Sequence, residues 1–245
     1  MHLVSVIMPY FKKREYVEQS ILSVMYQTYN KLELIIVYDD NSYKDYEYLS
    51  SICKKFNNIK ILKNKKNFGA GESRNIGIKS SKGDLIAFID ADDYWYKNKL
   101  EKQIEFLDKY NYKFVFSNYI IKTNKEEKTI SCKSKFLNYP VLLKSCDIGL
   151  STVLINSELI KKNLFPNLVT KEDYVVWLQI TKKKINAYCL NETLVIWNKT
   201  KNSLSSNILQ KIFDGYKVYR FYENFSFFKS LLYLTILSFN SLKKK

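Results

Sequence analysis

The sequence contains a single histidine, His2, among its 245 residues. A Ser-His-Asp triad, a histidine proton relay and a histidine-rich metal site are excluded, because each needs at least one imidazole inside the site. The four cysteines lie 79, 14 and 43 positions apart, which matches neither a C-x-x-C redox pair nor a zinc knuckle. No segment of the form G-x-x-x-x-G-K-[ST] occurs, so a P-loop nucleotidase is excluded as well. Any chemistry must therefore depend on carboxylates.

The N-terminal segment lacks the features of a secretion signal. Residues 1–9 contain no basic stretch followed by a long apolar run, and no small-residue cleavage site is present, so we expect a cytoplasmic location. Lysine and arginine total 40 against 24 acidic residues, a net charge of +16. This excess favours partners that carry phosphate, such as nucleotides, anionic lipids or nucleic acid, although a general lysine-rich composition explains it equally well.

The first 113 residues alternate between short apolar runs and segments with helical spacing. The apolar runs predict strands at 3–8, 34–37, 59–62 and 85–89, and the spacing predicts helices at 16–25, 46–56, 72–79 and 98–110. Repeated strand–helix units are typical of an α/β fold with a mostly parallel central sheet flanked by helices. Ligands bind such sheets at the carboxyl ends of the strands.

Two groups of carboxylates directly follow predicted strands. Asp39 and Asp40 follow the second strand, and Asp90, Asp92 and Asp93 follow the fourth. Carboxylates crowded after a buried strand repel one another and lose solvation, and a divalent cation relieves both costs. Mg²⁺ or Mn²⁺ suits such a site, because these ions are commonly held by one or two carboxylates and by substrate phosphates. The alternative for both groups is a turn that caps the next helix.

A glycine-rich segment at 69–74 superficially resembles a dinucleotide-binding fingerprint. Arg74 stands where the third glycine would be and no strand end precedes the segment, so a Rossmann dehydrogenase is disfavoured. A glycine-rich turn that leads into a helix can still hold a diphosphate through backbone amides, with Arg74 as a charged donor.

The second half of the chain has a weaker pattern. A helix is predicted at 172–181, with Glu172 and Asp173 in its first turn. The chain is predicted to be helical from 207 onward, but its apolar stretch 225–242 contains a lysine, an asparagine and four serines, so a clean transmembrane span is not expected. Seven positive and two negative charges in 207–245 predict an interfacial amphipathic helix on an anionic membrane. The alternative is a helix packed on the rest of the protein.

Several motifs occur in an order that is specific when they are taken together. They lie at 4–9, 23–29, 33–42, 67–77 and 88–93, continue at 151–155 and at Glu172 to Tyr174 with Trp177, and extend loosely to 197–205. With them the chain resembles the family-2 glycosyltransferases of GT-A fold, which assemble bacterial surface polysaccharides. The resemblance covers roughly the first four-fifths of the chain.

The resemblance implies a donor site for a nucleotide sugar. Asp39 would contact the base and Asp90 the ribose. Asp92 would bind the metal that holds the diphosphate, with Asp93 as a further candidate ligand, and Arg74 would lie near the phosphates. Pro9 and Ala91 belong to the same nucleotide-binding set. UDP is the family's commonest nucleotide, although Asp39 can accept hydrogen bonds from other bases.

The resemblance also implies an inverting transfer. Asp173 corresponds to the catalytic base that takes a proton from the acceptor hydroxyl, and Glu172 is the alternative base. Many relatives carry a histidine about where Thr200 stands, so an imidazole contact from that loop to the metal or the phosphates is not expected in this chain. The Q-x-x-R-W motif of processive polymerases is absent, which indicates the addition of one sugar at a time. The acceptor would be a saccharide or a lipid-linked saccharide.

The family resemblance and the charged tail predict how the chain is divided. A GT-A domain is expected at 1–206, with a nucleotide-sugar half at 1–113 and an acceptor half at 114–206, followed by a basic helical tail at 207–245 on the inner face of the cell membrane. No nucleic-acid partner is expected. Two rivals remain: a sugar nucleotidylyltransferase, whose glycine-rich arginine loop has no counterpart at 9–14, and a basic membrane- or nucleic-acid-binding module without turnover.

Overall fold

The structure, a computed structural model, describes residues 1–123, 125–200 and 207–242. The strands are β1 (Val4–Tyr10), β2 (Leu32–Tyr38), β3 (Ile59–Lys63), β4 (Leu85–Phe88), β5 (Tyr94–Trp95), β6 (Phe114–Lys122), β7 (Glu127–Ile130), β8 (Phe136–Leu137), β9 (Leu154–Asn156) and β10 (Ala187–Asn198). The helices are α1 (Arg14–Met25), α2 (Tyr43–Cys53), α3 (Ala70–Ser80), α4 (Lys99–Tyr110), α5 (Tyr139–Leu142), α6 (Ser157–Lys161), α7 (Glu172–Lys182), α8 (Ile208–Lys217) and α9 (Phe227–Leu242).

The strands form one sheet in the order β3-β2-β1-β4-β9-β6-β10-β5, with β7 paired to β6 and β8 to β10. The first four strands of that order are parallel to one another. Strand β9 is antiparallel to both β4 and β6, while β6 and β10 are again parallel. The α/β fold class predicted from the strand–helix repeats is therefore confirmed, and each antiparallel pair includes at least one strand from the part of the chain after residue 113.

The sheet is buried on both faces. Every residue of β1 is buried, and its side chains alternate between two apolar clusters: Ile7 lies in one, and Val6 and Met8 lie in the other. The Ile7 cluster includes residues of α7 and α9, whereas the Val6 cluster includes residues of α1, α2 and α4. Since successive side chains of a strand point to opposite faces, helices on both sides explain why the strand is apolar throughout.

The boundaries of the elements differ from the predicted ones for local reasons. Helix α2 begins three residues before the predicted start, because the Ser42 hydroxyl accepts a hydrogen bond from the Asp45 amide and caps the helix. The apolar run at 151–155 is divided between a 3₁₀ turn, Leu150–Thr152, and strand β9.

The C-terminal helices pack on the rest of the protein along their inner side. Helix α8, a π-helical turn (Val218–Tyr222) and α9 contact one another, and Val218, Tyr219 and Leu237 enter the apolar cluster that contains α7. On this side the tail packs on the rest of the protein, which is the alternative to membrane binding given above. No helix within the described ranges is long and apolar enough to cross a membrane. Residues 243–245, part of the predicted basic tail, lie outside those ranges, and the domain division at 206 stays a prediction.

The outer side of the tail is apolar and exposed. Its exposed large apolar side chains are Ile208, Leu209, Ile212, Phe213, Phe221, Phe227, Phe228, Leu231, Leu232, Phe239 and Leu242. A group of this size on one helical hairpin is uncommon on a protein surface that faces only water.

Candidate active site

The predicted carboxylates lie at one end of the parallel half of the sheet. Strand β1 is flanked by β2 on one side and β4 on the other, and the order of the chain reverses there. Asp39 directly follows β2, and Asp90 follows β4 by two positions. Two strand spacings separate their backbones by about 10 Å. The carboxylates therefore lie around the end of β1, at the reversal point where open α/β sheets bind ligands in a crevice, and we call this position the cleft.

Asp39 is held rigidly by the chain after β3. Its Oδ1 accepts hydrogen bonds from the Phe68 amide at 2.8 Å and from Asn64 Nδ2 at 2.7 Å, and its Oδ2 accepts one from the Gly69 amide at 2.8 Å. The loop can place these amides because Gly69 adopts a positive φ of 85°, which side chains disfavour. Within the turn at 69–74, whose amides are predicted to hold a diphosphate, the Gly69 amide thus binds Asp39.

Asp92 is paired with a lysine. Its Oδ2 lies 2.6 Å from Lys13 Nζ, and Thr200 donates a hydrogen bond to the same oxygen at 3.3 Å. Lys13 precedes α1, so the loop after β1 supplies this cation. Burial and nearby Asp90 raise the pKa of Asp92, and the Lys13 ammonium opposes that rise.

Arg74 joins the donor-side acids to helix α7. Its Nη2 lies 2.7 Å from Asp90 Oδ1, and its Nη1 lies 2.6 Å from Glu172 Oε1. Gly71 on α3 packs closely against the segment before α7, since a Cβ at that position would meet the Pro166 carbonyl oxygen at 3.2 Å. The Arg74 side chain is almost fully buried, and each of its two terminal nitrogens binds a carboxylate. The predicted position of Arg74 near the phosphates stays a prediction.

Both oxygens of the Asp93 carboxylate are bound within the protein. Ser151 donates a hydrogen bond to its Oδ2 at 2.5 Å, and the Asn198 amide donates to its Oδ1 at 3.3 Å. Burial, followed by repulsion from Asp90 and Asp92, raises its pKa well above the ordinary value. Since both oxygens face inward, Asp92 is the better placed of the two candidate metal ligands.

Asp173 and Glu172 open helix α7 but have different partners. Glu172 is buried against Arg74, whereas Asp173 is half-buried and its Oδ1 accepts a hydrogen bond from the Tyr174 amide at 2.7 Å. Burial raises the pKa of Asp173, and the charges of Arg74 and Lys171 oppose that rise. A carboxylate with a raised pKa and a solvent-facing side is suited to accept a proton.

The remaining predicted residues lie at the same edge. Pro9 is buried in β1 opposite Val37, and Ala91 is buried between the acids. The Ser20 hydroxyl on α1 donates to the backbone oxygens of Ala91, at 3.0 Å, and of Asp93, at 2.7 Å, which fixes the acidic turn against the helix.

The carboxylates fit a metal that a nucleotide helps to bind. Across the described residues no group of three His, Cys, Asp or Glu side chains is arranged to hold an ion. Asp90 and Asp92 nevertheless stand two positions apart at the cleft, and the Asp90 side chain is 35% exposed. Mg²⁺ commonly binds through one or two carboxylates together with substrate phosphates rather than in an all-protein cage. The donor set therefore suits Mg²⁺ or Mn²⁺ carried with a diphosphate.

Sequence reasoning overlooked several polar residues of this site. Lys13, Asn64, Ser151 and Asn198 all contact the acids. Two of them could have been predicted from the sequence. Lys13 and Asn64 each closely follow a parallel strand, which is the same kind of position that identified the aspartates as candidates. Ser151 and Asn198 come from the weakly patterned half. Of the predicted motif at 197–205, residues 201–205 lie outside the described ranges.

A family model with the description "Glycosyl transferase family 2" matches residues 5–153, which is more than half of the chain and includes the cleft acids Asp39 to Asp93. The chain belongs to glycosyl transferase family 2. It is 33% identical over 99% of its length to the putative teichuronic acid biosynthesis glycosyltransferase TuaG of Bacillus subtilis, of which it covers 97%. It is 36% identical over 86% of its length to a glucosyltransferase of Escherichia coli, WfgD, of which it covers 83%.

Solved structures support the same family fold. The chain matches S. aureus TarS in complex with UDP-GlcNAc at a TM-score of 0.74 and 20% identity, covering 89% of this chain and 65% of that one. It matches the mannosyltransferase PcManGT of Pyrobaculum calidifontis, solved with GDP-Man and Mn²⁺, at a TM-score of 0.69 and 14% identity, covering 92% and 65%. The GT-A fold expected from the resemblance is confirmed. The chain is a family-2 glycosyltransferase, and neither rival is favoured.

Proposed function

We propose that this family-2 enzyme transfers a sugar from a UDP-sugar to a hydroxyl of a lipid-linked saccharide, with inversion, during assembly of a cell-surface polysaccharide. The observation that carries the proposal is the cleft over β1, where Asp39 and Asp90 flank one strand end and Arg74 links Asp90 to Glu172, the first residue of α7 and the neighbour of Asp173. The names of the relatives agree: WfgD is described as a UDP-Glc:alpha-D-GlcNAc-diphosphoundecaprenol beta-1,3-glucosyltransferase, and TuaG as an enzyme of teichuronic acid biosynthesis.

The base of the nucleotide would bind Asp39. An ionised carboxylate offers about four lone-pair sites, and Asp39 uses three of them within the chain. The remaining site on Oδ2 can accept a hydrogen bond from a ring N–H of the base. Two strand spacings, about 10 Å between the backbones at Asp39 and Asp90, suit a nucleoside with its base at Asp39 and its ribose at Asp90. Pro9 and Ala91 would line the floor between them.

Asp92 would hold Mg²⁺ or Mn²⁺ with the diphosphate, and Asp90 is near enough to assist. When bound, the ion supplies positive charge to the leaving diphosphate, which needs charge neutralisation more than protonation. Asp93 supports the turn through Ser151 and Asn198 and is not required as a ligand.

Asp173 would act as the catalytic base. One of its oxygens is occupied by the Tyr174 amide, and the other is left to receive the proton of the acceptor hydroxyl. As that proton leaves, the hydroxyl oxygen forms a bond to the anomeric carbon. The bond from this carbon to the diphosphate breaks, and the diphosphate leaves with the electron pair. Attack opposite the leaving group inverts the carbon. Glu172 is less suited, because Arg74 already binds it.

The exposed side of α8 and α9 would bring the enzyme to its acceptor. The segment that carries these apolar side chains also contains Lys217, Arg220 and Lys229, a combination that favours the headgroup region of an anionic bilayer. An acceptor on a lipid carrier would then be presented at the inner face of the cell membrane.

The proposal is tested by ligand-dependent thermal stability. The purified protein is melted with Mn²⁺ and a panel of nucleoside diphosphates, and we expect UDP with Mn²⁺ to raise the melting temperature by binding only the folded state. Asp92→Ala should abolish the increase, while Asp108→Ala, which removes an exposed aspartate paired with His2 on another surface, should retain it. If no diphosphate shifts the wild type with either Mg²⁺ or Mn²⁺, the donor site is wrongly assigned.

A further inference from the structure

Lys13 and Asp92 form a compact group with Thr200. Lys13 Nζ lies 2.6 Å from Asp92 Oδ2 and 2.8 Å from Thr200 Oγ1, and Thr200 reaches Asp92 at 3.3 Å. The side chains of Lys13 and Asp92 are only 20% and 11% exposed. The lysine therefore fills a specific, partly desolvated position and is not a mobile surface charge.

This ammonium stands at the carboxylate that the proposed function gives to the metal. Asp90 is already paired with Arg74, and Asp93 faces Ser151 and the Asn198 amide. Asp92 is thus the acid of this turn whose charge Lys13 compensates. A divalent cation bound to the same Oδ2 would meet the ammonium within a few ångströms, and two such positive charges repel strongly in a partly buried cleft.

We propose that Lys13 holds the metal position of Asp92 while the donor site is empty, and that its ammonium moves to the diphosphate when metal and nucleotide bind. This inference rests on the proposed function, since it concerns the same donor site. The lysine side chain has a flexible four-carbon stem and a compact charge, so it can change partners without moving the backbone. Thr200, which follows β10 by two positions, fixes the ammonium in its first position.

The exchange makes metal and nucleotide binding interdependent. Metal binding without nucleotide is weakened, because it must displace Lys13 and leave the ammonium with no anion. Nucleotide supplies that anion, so each ligand increases the affinity for the other by the same factor. Part of that coupling comes from direct contact between metal and phosphate, and the lysine adds the rest.

The test compares Lys13→Met with Lys12→Met. Methionine keeps an apolar stem and removes the charge in both, and Lys12 is an exposed neighbour whose ammonium lies 5.1 Å from the centre of the Phe11 ring and not at Asp92. Mn²⁺ affinity is measured by electron paramagnetic resonance with and without UDP, at pH 8, and folding is checked by circular dichroism. Lys13→Gln serves as a second variant that keeps a polar partner for Thr200.

For Lys13→Met and Lys13→Gln we expect Mn²⁺ without UDP to bind about fivefold more tightly than in the wild type, and the coupling factor to fall by about fivefold. Lys12→Met should match the wild type. Unchanged or weaker Mn²⁺ binding in the Lys13 variants, or the same gain in Lys12→Met, overturns the inference alone. If the wild type binds neither Mn²⁺ nor UDP, the proposed donor site fails and the inference fails with it.

Discussion

Arg74 and Glu172 stand 98 positions apart in the sequence, yet Nη1 of the arginine lies 2.6 Å from Oε1 of the glutamate. The other terminal nitrogen of the same guanidinium binds Asp90 at 2.7 Å. One buried cation therefore connects the strand end proposed to bind the nucleotide with the helix that carries the proposed base. The relative positions of donor and base depend on this contact.

Removal of Arg74 should destabilise the protein. Arg74→Met leaves Glu172 buried without a cation, and we expect a loss of about 3 kcal/mol in the free energy of unfolding. Urea unfolding followed by circular dichroism measures it. Arg14→Met, which breaks the exposed ion pair with Asp45, should lose less than about 1 kcal/mol. The double variant Arg74→Met with Glu172→Gln should recover much of the loss. Equal losses in Arg74→Met and Arg14→Met would contradict this account.

Replacement of the proposed base should affect catalysis more than folding. We expect Asp173→Asn to lower kcat by about 10² to 10⁴-fold, the contribution typical of a general base, with a nearly unchanged unfolding midpoint. Glu172→Gln should lower the unfolding midpoint more and kcat less than Asp173→Asn does, because the Glu172 carboxylate is bound by Arg74. Release of nucleoside diphosphate in the presence of acceptor measures the rate. A larger loss of kcat in Glu172→Gln would make Glu172 the base.

The acid limb of the pH profile should depend on Lys171. Burial raises the pKa of Asp173, and the positive charges of Arg74 and Lys171 lower it. Without the Lys171 charge the carboxylate binds its proton more readily, so its pKa rises further and activity is lost at a higher pH than in the wild type. The measurement is kcat/KM against pH for Lys171→Met.

Lys184→Met is the matched control for that profile. Both lysines have a positive φ, 68° for Lys171 and 62° for Lys184, so methionine brings similar backbone strain at each. Lys184 lies beyond the far end of α7 and should leave the profile unchanged. A profile that does not move in Lys171→Met would show that a group other than Asp173 controls the acid limb.

Membrane binding should depend on the exposed side of the tail. Leu209 and Phe228 are 80% and 81% exposed, and replacing both with serine should weaken binding to vesicles of phosphatidylglycerol and phosphatidylcholine by at least about tenfold. Sedimentation with the vesicles measures it. Tyr26→Ser with Val169→Ser removes two exposed apolar side chains elsewhere and should bind like the wild type. Equal weakening in both pairs, or no binding by the wild type, would contradict a membrane role for the tail.

Sequence reasoning reached the features that depend on local pattern. The strands with their following acids could be predicted, since buried runs and the position of Asp39 and Asp90 are visible within a few residues. The partners of those acids could not. Arg74 meets Glu172 and Lys13 meets Asp92 only after the sheet has assembled, and no short spacing encodes either pair.

The packing of the tail was another feature that the sequence alone did not determine. Its composition predicted one amphipathic element, and the choice between a membrane and the protein as its partner was left open. The structure gives α8 and α9 an inner side that packs, with Asp214, Gly215, Ser230 and Leu237 buried, and an outer side that is exposed.

On the inner side of the tail, Asp214 of α8 binds the loop that precedes Asp173. The buried Asp214 carboxylate accepts hydrogen bonds from both the amide and the hydroxyl of Thr170, at 2.9 and 3.0 Å. Thr170 stands three residues before Asp173, so the C-terminal segment anchors the loop that leads into α7. A chain truncated at 206 would lose this anchor together with the exposed apolar side chains of α8 and α9. The proposed attachment to a bilayer and the proposed alignment of the base would therefore depend on the same C-terminal segment.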